Sequence, residues 1–135
     1  MIGDKQPVIF IIDDDEVMSK YVDSLLKNNG FKRIYTFPTG EECLANLTEK
    51  PDIVILDYNL SSSKPMAMNG MITSRKLTDI NRMVAIIMLS GEMHEDPNKI
   101  FTAKYGLGIH AYFHKNLENM HVLINKVKEI AAGFN

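Results

Sequence analysis

The most constraining feature of this chain is a set of short apolar runs with no polar residue inside them. Val8–Ile12, Ile53–Leu56, Val84–Leu89 and Ala111–Phe113 are such runs, and Ile34–Phe37 is a weaker fifth. A strand with one wet face alternates apolar and polar residues. An unbroken run needs cover on both faces, which a parallel sheet obtains from the helices that connect its strands. Turn signals bound the runs: Lys50-Pro51-Asp52, Ser90-Gly91 and Gly106-Leu107-Gly108.

Helical spacing fills the gaps. Val17, Met18, Tyr21, Val22, Leu25 and Leu26 recur at three- and four-residue steps, and Asn29-Gly30 supplies a stop. Thr39 precedes a short helix carrying Cys43, Leu44 and Leu47, with Glu42 placed as in a capping box. Asn69-Gly70 leads into Met71, Ile72, Leu77 and Ile80. Asp96-Pro97 opens a segment with Ile100, Phe101 and Ala103. Leu117, Met120, Leu123, Ile124, Val127 and Ile130 mark a last amphipathic helix. Strand and helix thus alternate five times. The expectation is an α/β fold, one doubly wound parallel sheet of five strands flanked by five helices, forming a single domain over residues 1–135.

Composition narrows the function. Fifteen basic and seventeen acidic side chains leave a formal charge of −2, too little positive charge for electrostatically driven nucleic-acid binding. The lone Cys43 cannot close an internal disulfide, and no Cys/His grouping suggests zinc. No signal-peptide pattern is visible, and no apolar run approaches the ~20 residues needed to span a bilayer. The expectation is a soluble cytoplasmic protein that binds neither nucleic acid nor membrane.

In a sheet of this kind ligands bind beyond the carboxyl ends of the strands. The residues just past each apolar run are therefore the ones that line the site. The first run ends in Asp13-Asp14, the third in Asp57, the fourth in Ser90 and the last in Lys115. Neighbouring strands lie ~4.8 Å apart, so Asp13, Asp14 and Asp57 could share one ion's coordination shell. Crowded carboxylates favour a hard divalent cation, and Mg²⁺ suits a set of a few carboxylates, waters and a phosphate oxygen. Ser90 and Lys115, on the side of Asp57 away from the acid pair, could hold the oxygens of a phosphoryl group. An aspartate between a metal and a lysine is well set to act as a nucleophile and carry an aspartyl-phosphate. Asp15 and Glu16 read instead as acids favouring the start of the first helix.

With these residues in order, the chain resembles the receiver domain of two-component response regulators, in particular the stand-alone chemotaxis type. The resemblance covers essentially the whole chain. It implies a flavodoxin-like fold with strand order 2-1-3-4-5. It also implies that Asp13 and Asp14 hold Mg²⁺ together with Asp57 and the backbone carbonyl of Asn59, and that Asp57 is the phosphoacceptor. Ser90 is then the hydroxyl that swings toward the phosphate, Lys115 the phosphate-binding lysine, and Tyr112 the aromatic that changes rotamer. Asn59 and Glu92 become candidates for setting how long the phosphate survives. The implied function is a signalling switch in a phosphorelay, with a sensor histidine kinase or a histidine phosphotransfer protein as donor. Phosphorylation would alter the surface of strand 4, the helix after it and strand 5, which meets a downstream protein. Such a domain is not a turnover enzyme; it performs self-phosphotransfer and slow self-dephosphorylation only.

Two features depart from the family pattern. Lys115 is succeeded by Asn116 where the family has proline in a cis bond, so either a trans bond with a shifted loop or a strained cis bond is expected. The connection after Asp57 is also longer than usual, with Ser61–Pro65 as the insertion, either a tolerated loop or a gate beside the site. The alternatives are a receiver-like interaction module that is not phosphorylated, an aspartyl-phosphate hydrolase and a flavodoxin-like cofactor binder. The hydrolase pattern wants a second carboxyl two residues after the nucleophile, where this chain has Asn59. A bound flavin phosphate would be repelled by Asp13-Asp14.

Overall fold

Five parallel strands form one sheet in the order β2-β1-β3-β4-β5. The structure, a computed structural model, describes residues 6–47, 49–58, 70–90, 109–116, 118 and 120–133. Along the chain these give β1 (Val8–Ile12), α1 (Glu16–Asn28), β2 (Arg33–Phe37), α2 (Gly40–Ala45) and β3 (Ile53–Asp57). Next come α3 (Gly70–Ile80), β4 (Ala85–Ser90), β5 (Ile109–His114) and α4 (Met120–Ala131). The fold is the flavodoxin-like one expected. The helix expected after Asp96-Pro97 and the Ser61–Pro65 insertion lie outside the described residues.

The three central strands are buried along their whole length, and the two faces of each feed different cores. Ile9, Ile11, Ile53, Ile55, Ala85, Ile87 and Leu89 pack with Val22 and Leu26 of α1 and with Leu123, Ile124 and Val127 of α4. The intervening residues Val8, Phe10, Ile12, Val54, Leu56, Ile86 and Met88 pack with Cys43 of α2 and Leu77 of α3. Period-two alternation thus sends each run to two cores at once, which is why the runs contain no polar residue. The edge strands differ. β2 is exposed or half-buried throughout, and Ala111 to His114 of β5 are half-buried. A register irregularity lies between Ile86 and Ile87: Ile86 pairs with Ile109 and Ile87 with Ala111. It restores the alternation so that Ala111 and Phe113 join the α1/α4 core while Tyr112 joins the other.

The helix ends are set locally. Asp15 is the N-cap of α1, its carboxylate accepting the Met18 N–H at 3.2 Å. At the other end the Phe31 N–H reaches the Leu26 carbonyl and the Gly30 N–H the Lys27 carbonyl, both at 3.1 Å. Gly30 takes φ 92°, and Phe31 is buried against the same core as Leu26, a complete Schellman stop. Thr39 caps α2 by accepting the Glu42 N–H at 3.1 Å, as the capping-box spacing predicts. One expectation is corrected. Val17, assigned to the inward face of α1, is 79% exposed, and Tyr21 is also exposed. The buried stripe of α1 is narrower and includes Ser19.

Candidate functional site

At the carboxyl ends of β1 and β3, strand parity decides which side chains meet. Asp13 continues the Ile9/Ile11 side of β1, Asp57 the Ile53/Ile55 side of β3, and Lys115 the Ala111/Phe113 side of β5. All three therefore leave the sheet on the face covered by α1 and α4. Asp13 and Asp57 are each only 4% exposed. Asp14, half-buried, stands beside them, and one carboxylate oxygen from each of the three aspartates lies within 4.8 Å of the others. Backbone bonds hold the frame. The Asp13 N–H donates to the Phe37 carbonyl at 3.0 Å, tying β1 to β2 one residue past the strand. The Tyr58 N–H donates to the Leu89 carbonyl at 2.8 Å, tying β3 to β4.

Lys115 spans the group. Its Nζ lies 2.9 Å from Oδ1 and 2.8 Å from Oδ2 of Asp13, and 3.5 Å from Oδ2 of Asp57. The expected place of this ammonium is the side of Asp57 away from the acid pair; it sits instead against the first acid of that pair. The reason is electrostatic: a flexible stem carries the ammonium between two equally buried carboxylates, closer to Asp13 than to Asp57. The peptide bond after Lys115 is trans. Asn116 Oδ1 accepts the Glu118 N–H at 2.9 Å, and the Lys115 N–H donates to the Ser90 carbonyl at 2.7 Å. Lysine thus reaches the site without the proline corner.

The electrostatics follow from burial and from this pairing. Burial pushes the Asp13 carboxyl up to about 6; the Lys115 hydrogen bond works against that rise and the charge of Asp57 adds to it. Burial opposes the charge on Lys115, but the hydrogen bond to Asp13 and the fields of Asp13, Asp57 and Asp15 outweigh it and hold its pKa above the usual value. At neutral pH Asp13 and Lys115 therefore form an ion pair. Asp13 and Asp14 also line an open cavity of about 320 Å³ with Glu16, Ser19, Thr36, Phe37 and Pro38, so the acids are reachable from solvent.

Ser90 and Tyr112 leave the sheet on the opposite face, in line with Ile86 and Met88. Ser90 is 1% exposed, and its hydroxyl hydrogen-bonds the Tyr112 phenol. Burial raises the Tyr112 pKa, the Ser90 bond opposes this, and the nearby Tyr58 and Asp57 add to it. The structure therefore brings together Asp13, Asp14, Asp57 and Lys115, with Ser90 and Tyr112 as a linked pair beside them. Asn59 and Glu92 lie outside the described residues. Cys43 is buried, its thiol pushed up to about 12 by desolvation, and is unreactive.

Three oxygen donors of this kind, two of them buried, fit a small hard divalent cation. Comparison with known proteins agrees with the fold. Residues 9–128 match the family model of the response regulator receiver domain. BvgA of Bordetella pertussis, a virulence-factor transcription regulator, is 27% identical over 127 residues, which is 93% of this chain and 56% of BvgA. The chain therefore spans about half the length of the curated relatives it matches. A CheY-like receiver domain from Methanospirillum hungatei superimposes with TM-score 0.78 at 24% identity, covering 95% of both chains. The BeF3-activated DrrB receiver domain gives TM-score 0.75 at 26% identity, over 93% of this chain and 97% of that one. The Thermotoga maritima response regulator TrrA, in complex with Mg²⁺-BeF, gives 0.73 at 20% identity over 93% and 99%. With its fold, its strand-end acids and a family match over residues 9–128, this chain belongs to the response regulator receiver domains of two-component signalling.

Proposed function

We propose that this receiver domain is a phosphorylation-dependent switch whose acceptor is Asp57 and whose metal ligands are Asp13, Asp14 and Asp57. The observation that carries the reading is the meeting of three aspartates and one lysine, distant in sequence, within a few ångströms at the strand ends. Mg²⁺ bound by the three carboxylates would supply positive charge to the oxygens of an incoming phosphoryl group. The donor is a phosphohistidine on a sensor kinase or a phosphotransfer protein. Asp57 attacks its phosphorus through a carboxylate oxygen. The new O–P bond forms as the P–N bond breaks, and the imidazole nitrogen leaves with the electron pair.

The protein's own groups have separate tasks. Asp57 is buried, so the Lys115 ammonium must give way from Oδ2 for the phosphoryl group to enter. It then pairs with the more strongly charged phosphate oxygens. Ser90 stands one residue past the position that pairs with Asp57, so its hydroxyl can exchange the Tyr112 phenol for a phosphate oxygen. That exchange frees Tyr112 and biases the β4–β5 surface toward a second state read by a downstream protein. The domain is a switch and not a turnover enzyme.

Asp57→Asn tests the acceptor. Incubated with acetyl phosphate and Mg²⁺ and resolved on a phosphate-affinity gel, the wild-type chain is expected to shift and the variant to show no shifted band. Undiminished labelling of the variant would remove Asp57 from the role.

A further inference from the structure

We infer that Gly70 is a positioning residue for Asp57, a role that rests on the acceptor assignment above. The first residue of α3 lies against the backbone at the end of β3. A Cβ added to Gly70 would stand 2.6 Å from the Asp57 carbonyl oxygen, 2.9 Å from the Tyr58 Cα and 3.1 Å from the Tyr58 carbonyl oxygen. All three are backbone atoms, so no side-chain rotation relieves the contact. Glycine is needed here for close approach, not for an unusual backbone angle.

The contact is also a tether. The Gly70 N–H donates to the Tyr58 carbonyl at 3.3 Å, while the Tyr58 N–H donates to Leu89 at 2.8 Å. Tyr58 is thereby held through its carbonyl to α3 and through its N–H to β4, and the Asp57 carbonyl lies against Gly70 in the same contact. The orientation of this backbone sets where the Asp57 carboxylate points, and that carboxylate has to share a small volume with those of Asp13 and Asp14. Mg²⁺ tolerates little deviation from octahedral geometry, so a small displacement of one ligand is felt. Gly40 supplies the contrast. A Cβ there would meet the Thr73 side chain, with Oγ1 at 2.2 Å, in the packing of α2 on α3. That contact is with a side chain rather than with the Asp57–Tyr58 backbone, and no backbone at the acid cluster need move.

The experiment compares Gly70→Ala with Leu77→Ala, a buried α3 residue facing the core away from the acids. Thermal melting first ranks their stabilities, with sucrose added to keep both folded. Mg²⁺ affinity is then measured by calorimetry on the 135-residue chain, together with amide exchange at Tyr58 in chelator. For Gly70→Ala the expected result is a Kd for Mg²⁺ raised roughly tenfold or more and faster exchange at Tyr58. Leu77→Ala is expected to be destabilised but to keep the wild-type Kd. Equal Kd values for Gly70→Ala and wild type would overturn the inference and leave the switch reading standing. A Gly70→Ala chain that stays unfolded where Leu77→Ala folds would also overturn it, since Gly70 would then be structural. A wild-type chain that binds no Mg²⁺ would instead bring down the switch reading.

Discussion

Five residues lie at or near the carboxyl ends of β1, β3, β4 and β5, but they leave the sheet on opposite faces and live under different physics. Asp13, Asp57 and Lys115 face α1 and α4 as a buried ionic cluster, with the ammonium within 2.8 Å of one carboxylate. Ser90 and Tyr112 face the other core as a neutral hydrogen-bonded pair. A low-dielectric surrounding makes the first half expensive unless it is neutralised, and leaves the second half with little at stake. Charge is concentrated where a cation and a phosphoryl group would bind. The neutral pair sits where a rearrangement costs least. A switch needs that division: one half that binds strongly, and one that changes partner for about the energy of a single hydrogen bond.

Removing the ammonium is the harshest test of the division. Lys115→Met leaves two buried carboxylates without their counter-ion, and breaking such a pair costs on the order of 3 kcal/mol or more. Urea unfolding in chelator at neutral pH is expected to show this loss. The hydrogen bond from Lys115 also restrains the Asp13 pKa, so the variant is expected to raise that pKa beyond about 6, visible in carboxyl NMR shifts. A loss below ~1 kcal/mol would place the ionic cluster on the same footing as the neutral pair.

How far these halves could be read from residues alone differs in the same way. The inner strands were legible because burial on both faces leaves no room for a polar residue, so Val8–Ile12 or Ile53–Leu56 admit few other readings. The edge strand β2 was faint because its residues are exposed or half-buried. Asp13, Asp14, Asp57, Ser90 and Lys115 were visible because each closes an apolar run, and chain topology then carries them to one edge. The destination of the Lys115 ammonium was not legible. It depends on how the lysine stem is packed between two equally buried carboxylates, and that comes from packing, not from spacing. The register irregularity beside Ile86 was hidden too, since it leaves no mark among neighbouring hydrophobic residues. The exposure of Val17 shows the matching limit for helices: three- and four-residue spacing admits a wider stripe than the core fills.

The pH dependence of stability separates the halves next. Asp13 holds its proton up to about 6 in the folded chain, against an ordinary value of 3.8. Between these values the folded state binds more protons than the unfolded one. Stability from this group is therefore fully present below about 3.8 and is lost as pH rises through about 6. The size is on the order of 2–3 kcal/mol. Lys115, with its pKa raised, contributes stability below its ordinary 10.5 that is lost only as pH rises through a still higher value. In chelator, an Asp13→Asn variant is expected to lose the fall in stability between pH 4 and 6 that the wild type shows. A wild-type curve that is level across that window would contradict the raised pKa of Asp13.

A smaller effect probes the neutral half. Ser90→Ala and Tyr112→Phe each remove one partner of the same hydrogen bond, and each is expected to cost about 1 kcal/mol. Because they share one interaction, the double variant is expected to cost about as much as either alone. The coupling energy in a double-mutant cycle would be near 1 kcal/mol. Additive losses would mean that the hydroxyl and the phenol act separately, and that Ser90 does not hold Tyr112 in place.

The smallest expected effect lies at the border between site and scaffold. Asp14 and Asp15 are adjacent acids, but Asp14 contributes an oxygen to the carboxylate cluster while Asp15 caps α1 through the Met18 N–H. Asparagine caps a helix about as well as aspartate. Asp15→Asn is therefore expected to change stability by only ~0.3 kcal/mol and to leave Mg²⁺ affinity close to that of the wild type. Asp14→Asn removes a charged ligand and is expected to weaken Mg²⁺ binding by roughly tenfold or more. The residual influence of Asp15 runs through its field on Lys115, the last of the contributions that raise that pKa, and exposure to water screens it. Calorimetric Mg²⁺ titrations of the two variants side by side decide the matter. An equal loss of affinity in both would extend the metal site onto the helix cap, and the acid run after β1 would then act as one electrostatic unit rather than as ligand and scaffold in succession.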